Sequence, residues 1–434
     1  MPNIFYRISD IICHVLKGVN IGTNLGLYHL ICALISGRFL ASRGAVFPAL
    51  HDMGLDKQQV RRAGAVLYER KWKTDTLVDN WKEFVEKEDL FQRHSYEGYS
   101  SKACDLTAFY RPRLKGLKSK HYHSIAEKAM PAVVFGLCVS TGSIGKQRLG
   151  IPDFILRGEE EETDARLQTR LVKKVALLLK KNEVGVFDAG FELSDVREAK
   201  IWFVLRAAKN GTARRNFLPE PNALGRRAEK GDVVRPTARK YKDKIIEATP
   251  PDKVETWIRD KHIIRAEIWE NLVSSTQKPG EGEPFRMIAI YDPRYKKPLV
   301  LETNLLISVQ AIVEMYYNRW CVELVPLAAK PILGAERSFV HDPESRYRLP
   351  ELALLSGNIL SYVAAISQPI ATGFWDRVAR PTCGRLRRCL SQLNFSKLTL
   401  SLGQVREKRS VTDHLIKGVE RHRLLRSVPN ALSP

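Results

Sequence analysis

The sequence contains no C-x-x-C pair, no internal repeat and no sustained low-complexity stretch. Its seven cysteines, Cys13, Cys32, Cys104, Cys138, Cys321, Cys383 and Cys389, are scattered and odd in number. That pattern argues against a disulfide framework or a zinc knuckle and suits a reducing compartment. No clean apolar stretch with a small-residue cleavage site opens the chain, because Arg7, Asp10 and Lys17 interrupt it, so no signal peptide is expected. The longest uncharged run, Leu352 to Trp375, holds Asn358, Gln368, Pro369 and Gly373 and reads as a buried helix plus a turn rather than a membrane span. Acid is also in short supply. Against 70 Lys and Arg stand 48 Asp and Glu, a net charge of +22, which predicts an acidic partner such as nucleic acid or an anionic membrane face.

What is present is ordinary globular material. With 434 residues, 44% hydrophobic and 27% charged, the chain is long enough to bury its own core, in about two to four domains. Residues 1–95 read as helical, with Ile11, Val15, Leu25, Leu30, Ile31, Leu34 and Ile35 at helix-like spacing. Within them, Leu50 and Met53, then Gly54, then Asp56 followed by Val60 and Ala63, suit a helix-turn-helix. Gly54 would supply the left-handed turn and Asp56 a cap, and Lys57, Gln58, Gln59, Arg61 and Arg62 would face outward towards DNA. An ordinary helical hairpin with a solvated face would look similar.

From residue 100 the texture changes. Ser101 to Asp105 reads as a short strand ending in an acid, Met130 to Val139 as a second strand, and Ile144 to Ile151 as its hairpin partner across a turn at Ser140–Ser143. Thr163 can cap a helix carrying Leu167, Leu171, Val172, Val175, Leu178 and Leu179. Val184 to Phe187 is a strand that delivers Asp188 to a glycine turn, and Ile201 to Leu205 is a further strand. The order βββ-α-β-α-β predicts a mixed α/β sheet over 100–208. Residues 209–302 read as a basic, mainly β insertion: eleven Lys and Arg against four acids over 209–245, then strands at Arg265–Val273, Phe285–Tyr291 and Pro298–Glu302. A long helix is expected from a Thr303 cap through Trp320 towards Lys330, within a last core segment at 303–365. Residues 366–434 form a tail of nucleic-acid-like charge, with thirteen basic and three acidic residues from Arg377 to Arg426.

Tyr316, Arg319, Glu323 and Lys330 fall at i, i+3, i+7 and i+14, on roughly one face of a helix. A carboxylate there sits among two cations and a phenol, although Arg319 and Glu323 alone would pass for an ordinary i,i+4 ion pair. The pattern Tyr-x2-Arg-x3-Glu-x6-Lys at 316–330 resembles the signature of DDE transposases of the insertion-sequence-four family. Asp105-Leu-Thr107 after a strand resembles that family's first acidic motif, and Asp188-Ala-Gly-Phe191 its second. The acids arrive in the family's order, the longer second gap leaves room for its β insertion, and the likeness spans roughly residues 100–360.

The resemblance implies an RNase H-like mixed-sheet core with a β-rich insertion between the second Asp and the Glu, beside an N-terminal helical domain that binds DNA ends. It implies that Asp105, Asp188 and Glu323 hold two Mg²⁺ or Mn²⁺ ions, and that Tyr316, Arg319 and Lys330 grip phosphates. Two hard cations bridged by carboxylates suit phosphodiester cleavage, while a guanidinium fork and an ammonium suit phosphate. The implied protein is a bacterial, cytoplasmic, nucleoid-associated transposase that acts on double-stranded DNA as a homodimer in its synaptic complex, without a membrane. The alternative is a catalytically inactive, transposase-derived DNA-binding regulator. Relatives stack an extruded base on an aromatic residue of the insertion, for which Trp257, Trp269, Tyr291 and Tyr295 are candidates. Pro326 is expected to kink the helix before Lys330. Asp153 and Asp164 are rival first acids in stretches that read as exposed, and His121 and His123 form an H-x-H without a matching ligand pair.

Overall fold

The computed structural model describes residues 2–220, 227–242, 244–371, 377–393 and 405–406. Helices come first: α1 (Pro2–Val15), α2 (Thr23–Ile35), α3 (Arg38–Ala41), α4 (Val46–His51), α5 (Lys57–Ala65) and α6 (Thr74–Glu88). Gly54 takes φ 81° between α4 and α5, and Asp56 caps α5 through a full capping box with Gln59. The helical stretch ends before residue 95. Strands β1 (Gln92–Arg93) and β2 (Ser95–Tyr96) lead into β3 (Tyr99–Tyr110), then β4 (Lys120–His123), β5 (Lys128–Ile144) and β6 (Gln147–Arg157). Next come α7 (Asp164–Leu178), capped by Thr163 as expected, β7 (Glu183–Phe187), α8 (Leu193–Glu198) and β8 (Phe203–Arg206).

Several boundaries differ from expectation. The strand around Asp105 runs on to Tyr110. The hairpin turn is not at Ser140–Ser143 but at Gly145-Lys146, because those small polar residues have buried partners inside β5. Ser101 Oγ and Thr141 Oγ1 lie 2.6 Å apart, Ser140 donates to Asp153 at 2.9 Å, and Gly142 lets the Gln92 carbonyl oxygen come within 2.4 Å of where a Cβ would stand.

The segment expected to be an insertion is indeed β-rich: β9 (Ala213–Arg215), β10 (Val233–Val234), β11 (Arg239–Tyr241), β12 (Lys244–Ile246), β13 (Lys253–Arg259), β14 (His262–Ser274), β15 (Phe285–Tyr291) and β16 (Leu299–Thr303). Most of it continues one sheet rather than standing apart. The 14-stranded sheet runs β6-β5-β3-β7-β8-β16-β15-β14 through its middle. β5 is antiparallel to β3 and β6, β3, β7 and β8 are parallel, and β16 turns the sheet antiparallel again. Only β11 and β12 form a separate two-stranded ribbon among the described residues.

The long helix expected from Thr303 is in pieces. Thr303 ends β16, and Ser308 caps α9 (Val309–Asn318). α10 (Cys321–Leu327) follows, then a π-helical turn over Ala328–Ile332. Pro326 and Pro331 both lie here, and neither has a backbone N–H to give to the helical ladder. α11 (Ser345–Ile366) is long and apolar enough to cross a membrane, but 83% of its apolar window is buried within the protein, so the run from Leu352 is a core helix as far as Ile366. Residues 372–376 of that run lie outside the described residues. Of the basic tail the structure describes α12 (Cys383–Leu390) and little more; residues 394–404 and 407–434 lie outside it.

One hydrophobic cluster joins α1, α2, α5 and α6 to β3, β5, β6, α10 and α11. Trp81 Nε1 donates to Asn358 Oδ1 at 2.8 Å, and Asn358 donates to the Gly150 carbonyl at 2.6 Å, tying α6, α11 and β6 together. The N-terminal helices therefore share a core with the helix that carries Glu323.

Candidate active site

The last parallel pairs across the middle of the sheet are Cys104↔Phe187 and Phe187↔Leu205. The next residue on each strand is Asp105, Asp188 and Arg206. Three neighbouring chains thus bring two carboxylates and a guanidinium to the carboxyl edge of the parallel strands. Glu323 arrives from α10, whose backbone can lie directly on β6 because Gly150 has no side chain; a Cβ there would stand 2.6 Å from the Cys321 carbonyl oxygen. Val322 and Val325 bury the inner face of α10, which leaves Glu323 to face the strand ends.

The three acids meet on one side chain. Arg319 reaches Glu323 Oε1 at 2.8 Å and Asp188 Oδ2 at 3.3 Å through one terminal nitrogen, and Asp105 Oδ2 at 3.4 Å through the other. Tyr316 donates its hydroxyl to Asp188 Oδ1 at 3.0 Å, and Arg206 approaches the same oxygen at 3.4 Å. The guanidinium side chain is 8% exposed, while the carboxylates keep about a third of their surface open, 32% for Asp105 and Asp188 and 29% for Glu323. Solvent therefore reaches the acids but hardly the cation.

Burial and crowding set the acids apart from one another. Burial pushes Asp105 up from the ordinary carboxylate range, with Arg319 only partly opposing. Burial does the same to Glu323, again against Arg319, and the charge of Asp105 adds to it. Burial would also raise Asp188, but Arg319 and the hydrogen bonds from the Ala189 amide and Tyr316 outweigh it and hold Asp188 below its usual value. Tyr316 is pushed up to about 12 by burial and by Asp188, so it keeps its proton and acts as a donor. Lys330, in the π turn, stands 5.2 Å from the Phe109 ring centre, and burial pushes it down to about 8 against the pull of Glu336 and Asp105.

The donor set fits a divalent metal: six carboxylate oxygens are hard ligands of the kind Mg²⁺ and Mn²⁺ take. A guanidinium already sits where a cation would. Among the described residues, however, no group of three His, Cys, Asp or Glu side chains is gathered closely enough to hold a metal. The carboxylates are spread around the Arg319 guanidinium.

The other sequence candidates fall elsewhere. Arg61 and Arg62 lie exposed on α5 in the helical layer, and α5 packs close on α2 where Gly26 admits Val66 and Ala63. Asp153 is not exposed: it is 6% accessible and paired to Lys102 at 2.9 Å, which removes it as a rival acid. Asp164 starts α7 and pairs with His121 at 2.9 Å. Trp269 is fully buried in the core, Trp257 and Tyr291 are half-buried, and Tyr295 is 61% exposed. Arg206 escaped the sequence reading, although it directly follows the apolar run ending at Leu205, the position that register places beside Asp188. No protein-family model and no curated protein matches this chain.

Proposed function

We propose that the protein is a metal-dependent DNA transposase of the DDE type, with an RNase H-like core, as its resemblance to the insertion-sequence-four family implies. The observation that carries this reading is the convergence of Asp105, Asp188 and Glu323, from two adjacent strands and a helix, around the guanidinium of Arg319. The core reading is supported by a three-strand antiparallel meander followed by two parallel strands through helical crossovers, with the acids at the carboxyl edge.

Asp105, Asp188 and Glu323 would hold the divalent ions. Held there, the ions would supply activation of a water or a 3′-hydroxyl and stabilisation of the leaving oxygen of the phosphodiester. The remaining work belongs to the chain. Tyr316, still protonated, offers a neutral donor to a phosphate oxygen; Arg206, half exposed at the strand edge, and Lys330 supply positive charge on either side. The α4–α5 unit, with its left-handed Gly54 and capped basic helix, is suited to bind DNA ends. Two ends held together call for a dimer, and the bacterial cytoplasm supplies the DNA.

The test is to incubate labelled duplex bearing the inverted repeats that flank the coding region with Mg²⁺ or EDTA, beside Asp188→Ala and Glu323→Ala. Metal-dependent cleavage lost in both variants, with DNA binding kept, is the expected result. The occupation of the acid centre by Arg319 favours a second reading, a DNA-binding regulator that no longer cuts. Wild-type binding without cleavage at any divalent concentration would establish it.

A further inference from the structure

We propose that Arg319 is an internal counter-ion that keeps the three-carboxylate centre closed to divalent metal until a DNA phosphate draws its guanidinium away, so that metal and DNA bind with positive coupling. The inference rests on the metallonuclease reading of this site and adds to it a device that regulates the site.

The contacts already described distinguish Arg319 from an ordinary helix-surface cation. An i,i+4 pair on a helix face binds one carboxylate in solvent; Arg319 binds three, from three different elements, at 8% exposure. Among the described residues the three acids pair with two cations, Arg319 and the half-exposed Arg206, so negative charge is in excess. A guanidinium cannot shed its proton to make way for a metal, so it can only move. Where both are present, cation repels cation, and the same oxygens cannot serve both.

Two features make the side chain displaceable. Its Nε is buried without a hydrogen-bond partner among the described residues, so the carboxylates do not satisfy the whole fork. A phosphate can take two parallel N–H bonds from that fork. Arg319 also stands at a joint in the backbone. The amides of Arg319, Trp320, Val322 and Glu323 bond to the carbonyls of Tyr316, Tyr317, Arg319 and Trp320, three residues back instead of four. Such a tightened stretch in mid-helix marks a place where the rod can re-form differently, and it separates α9 from the α10 turn that carries Glu323.

Linkage makes the effect reciprocal: whatever DNA contributes to freeing the acids, metal returns to DNA affinity. The full chain is titrated with Mn²⁺ alone, free Mn²⁺ being read by electron paramagnetic resonance, for wild type, Arg319→Gln, Arg319→Lys and Asp188→Asn. The expectation is that Arg319→Gln binds Mn²⁺ about tenfold more tightly than wild type. In EDTA it should melt at a lower temperature, because its acids have lost their counter-ion. Arg319→Lys, which keeps the charge, should stay near wild type and guards against a folding artefact. Added inverted-repeat duplex should tighten Mn²⁺ binding by wild type and leave Arg319→Gln unchanged. Equal or weaker Mn²⁺ binding by Arg319→Gln, with binding still lost in Asp188→Asn, overturns the counter-ion role and leaves the metal centre standing. Absence of Mn²⁺ binding in every protein, with Asp188→Asn indistinguishable from wild type, overturns the metallonuclease reading and this inference with it.

Discussion

The stretch over which β3 and β7 pair carries a charged cluster at each end, and the two are built differently. Upstream, Lys102 on β3 is 5% exposed and reaches Asp153 at 2.9 Å and Glu183 of β7 at 3.6 Å, while Lys82 and Arg93 reach the same two acids from α6 and β1 at 3.3 and 3.1 Å. Each acid has more than one cation, and Ser140 fills a remaining site. Burial alone would lower Lys102, yet Asp153 and its neighbours hold it above its usual value. Downstream, a few residues along the same strands, three acids share Arg319 with only partial help from Arg206. Both clusters use the same residue types on the same backbone. In the first, both acids and Lys102 are buried and each acid has more than one cation, as a buried ion network needs if it is not to destabilise the fold; in the second, three partly open acids share one buried guanidinium.

The largest expected effect breaks the comparison by stability. Asp153→Ala leaves Lys102 buried and partly uncompensated, a change of the kind that costs about 3–5 kcal/mol. Asp105→Asn removes a carboxylate that burial already disfavours, and should leave stability unchanged or raise it by up to about 1 kcal/mol. Equilibrium unfolding in urea measures both. If Asp105→Asn costs as much as Asp153→Ala, the downstream cluster is structural and the contrast disappears.

A second test uses an acid that belongs to neither cluster. Glu302 on β16 is 6% exposed, and burial, with Glu192 adding and Arg197 opposing, pushes it up to about 7. The folded protein therefore holds this proton more tightly than the unfolded chain, whose glutamate ionises near its ordinary value of about 4.3. As pH rises between that value and about 7, the unfolded state sheds the proton first, and stability falls by roughly 1 kcal/mol per pH unit, levelling off above. Glu302→Gln should remove that slope and gain stability at pH 8 but not at pH 4, as read from melting curves at the two pH values.

How much of this was legible in the sequence follows the physics of each segment. The strand and helix order through Leu205 could be read because apolar runs and caps such as Thr163 are local signals. The extent of β5 could not, since Ser140, Thr141 and Gly142 look like a turn until their partners Lys102, Ser101 and Arg93 arrive from distant strands. The three acids were legible as an ordered motif, and the register of the sheet accounts for their meeting. Arg319 was visible as a member of the motif but not as the centre of it, because the helix break at Trp320 contains neither Gly nor Pro. Asp153 was misread as exposed for the same reason as β5: its cation is 51 positions away. The unity of the sheet across residues 209–302 was hidden because the β8–β16 pairing is wholly non-local.

The smallest expected effect sharpens the functional side of the contrast. Among the described residues Lys330 makes no short ion pair with a carboxylate, and burial against Phe109 pushes it down to about 8. Below that pH it carries the charge a phosphate needs; above it the ammonium is lost, and the phosphate contact weakens with it. DNA affinity should therefore decline from pH 7 to pH 9, by about 1 kcal/mol or roughly fivefold at constant salt. Bound phosphate favours the charged form, which shifts the decline upward in pH without reversing it. Lys330→Arg, charged throughout, should bind with a flat profile over that range, and Lys330→Met with a flat but weaker one. Fluorescence anisotropy of labelled inverted-repeat duplex at pH 7, 8 and 9 distinguishes the cases. A wild-type profile as flat as that of Lys330→Arg would mean that Lys330 never touches the DNA, and that the positive charge at this site is supplied by Arg319 and Arg206 alone.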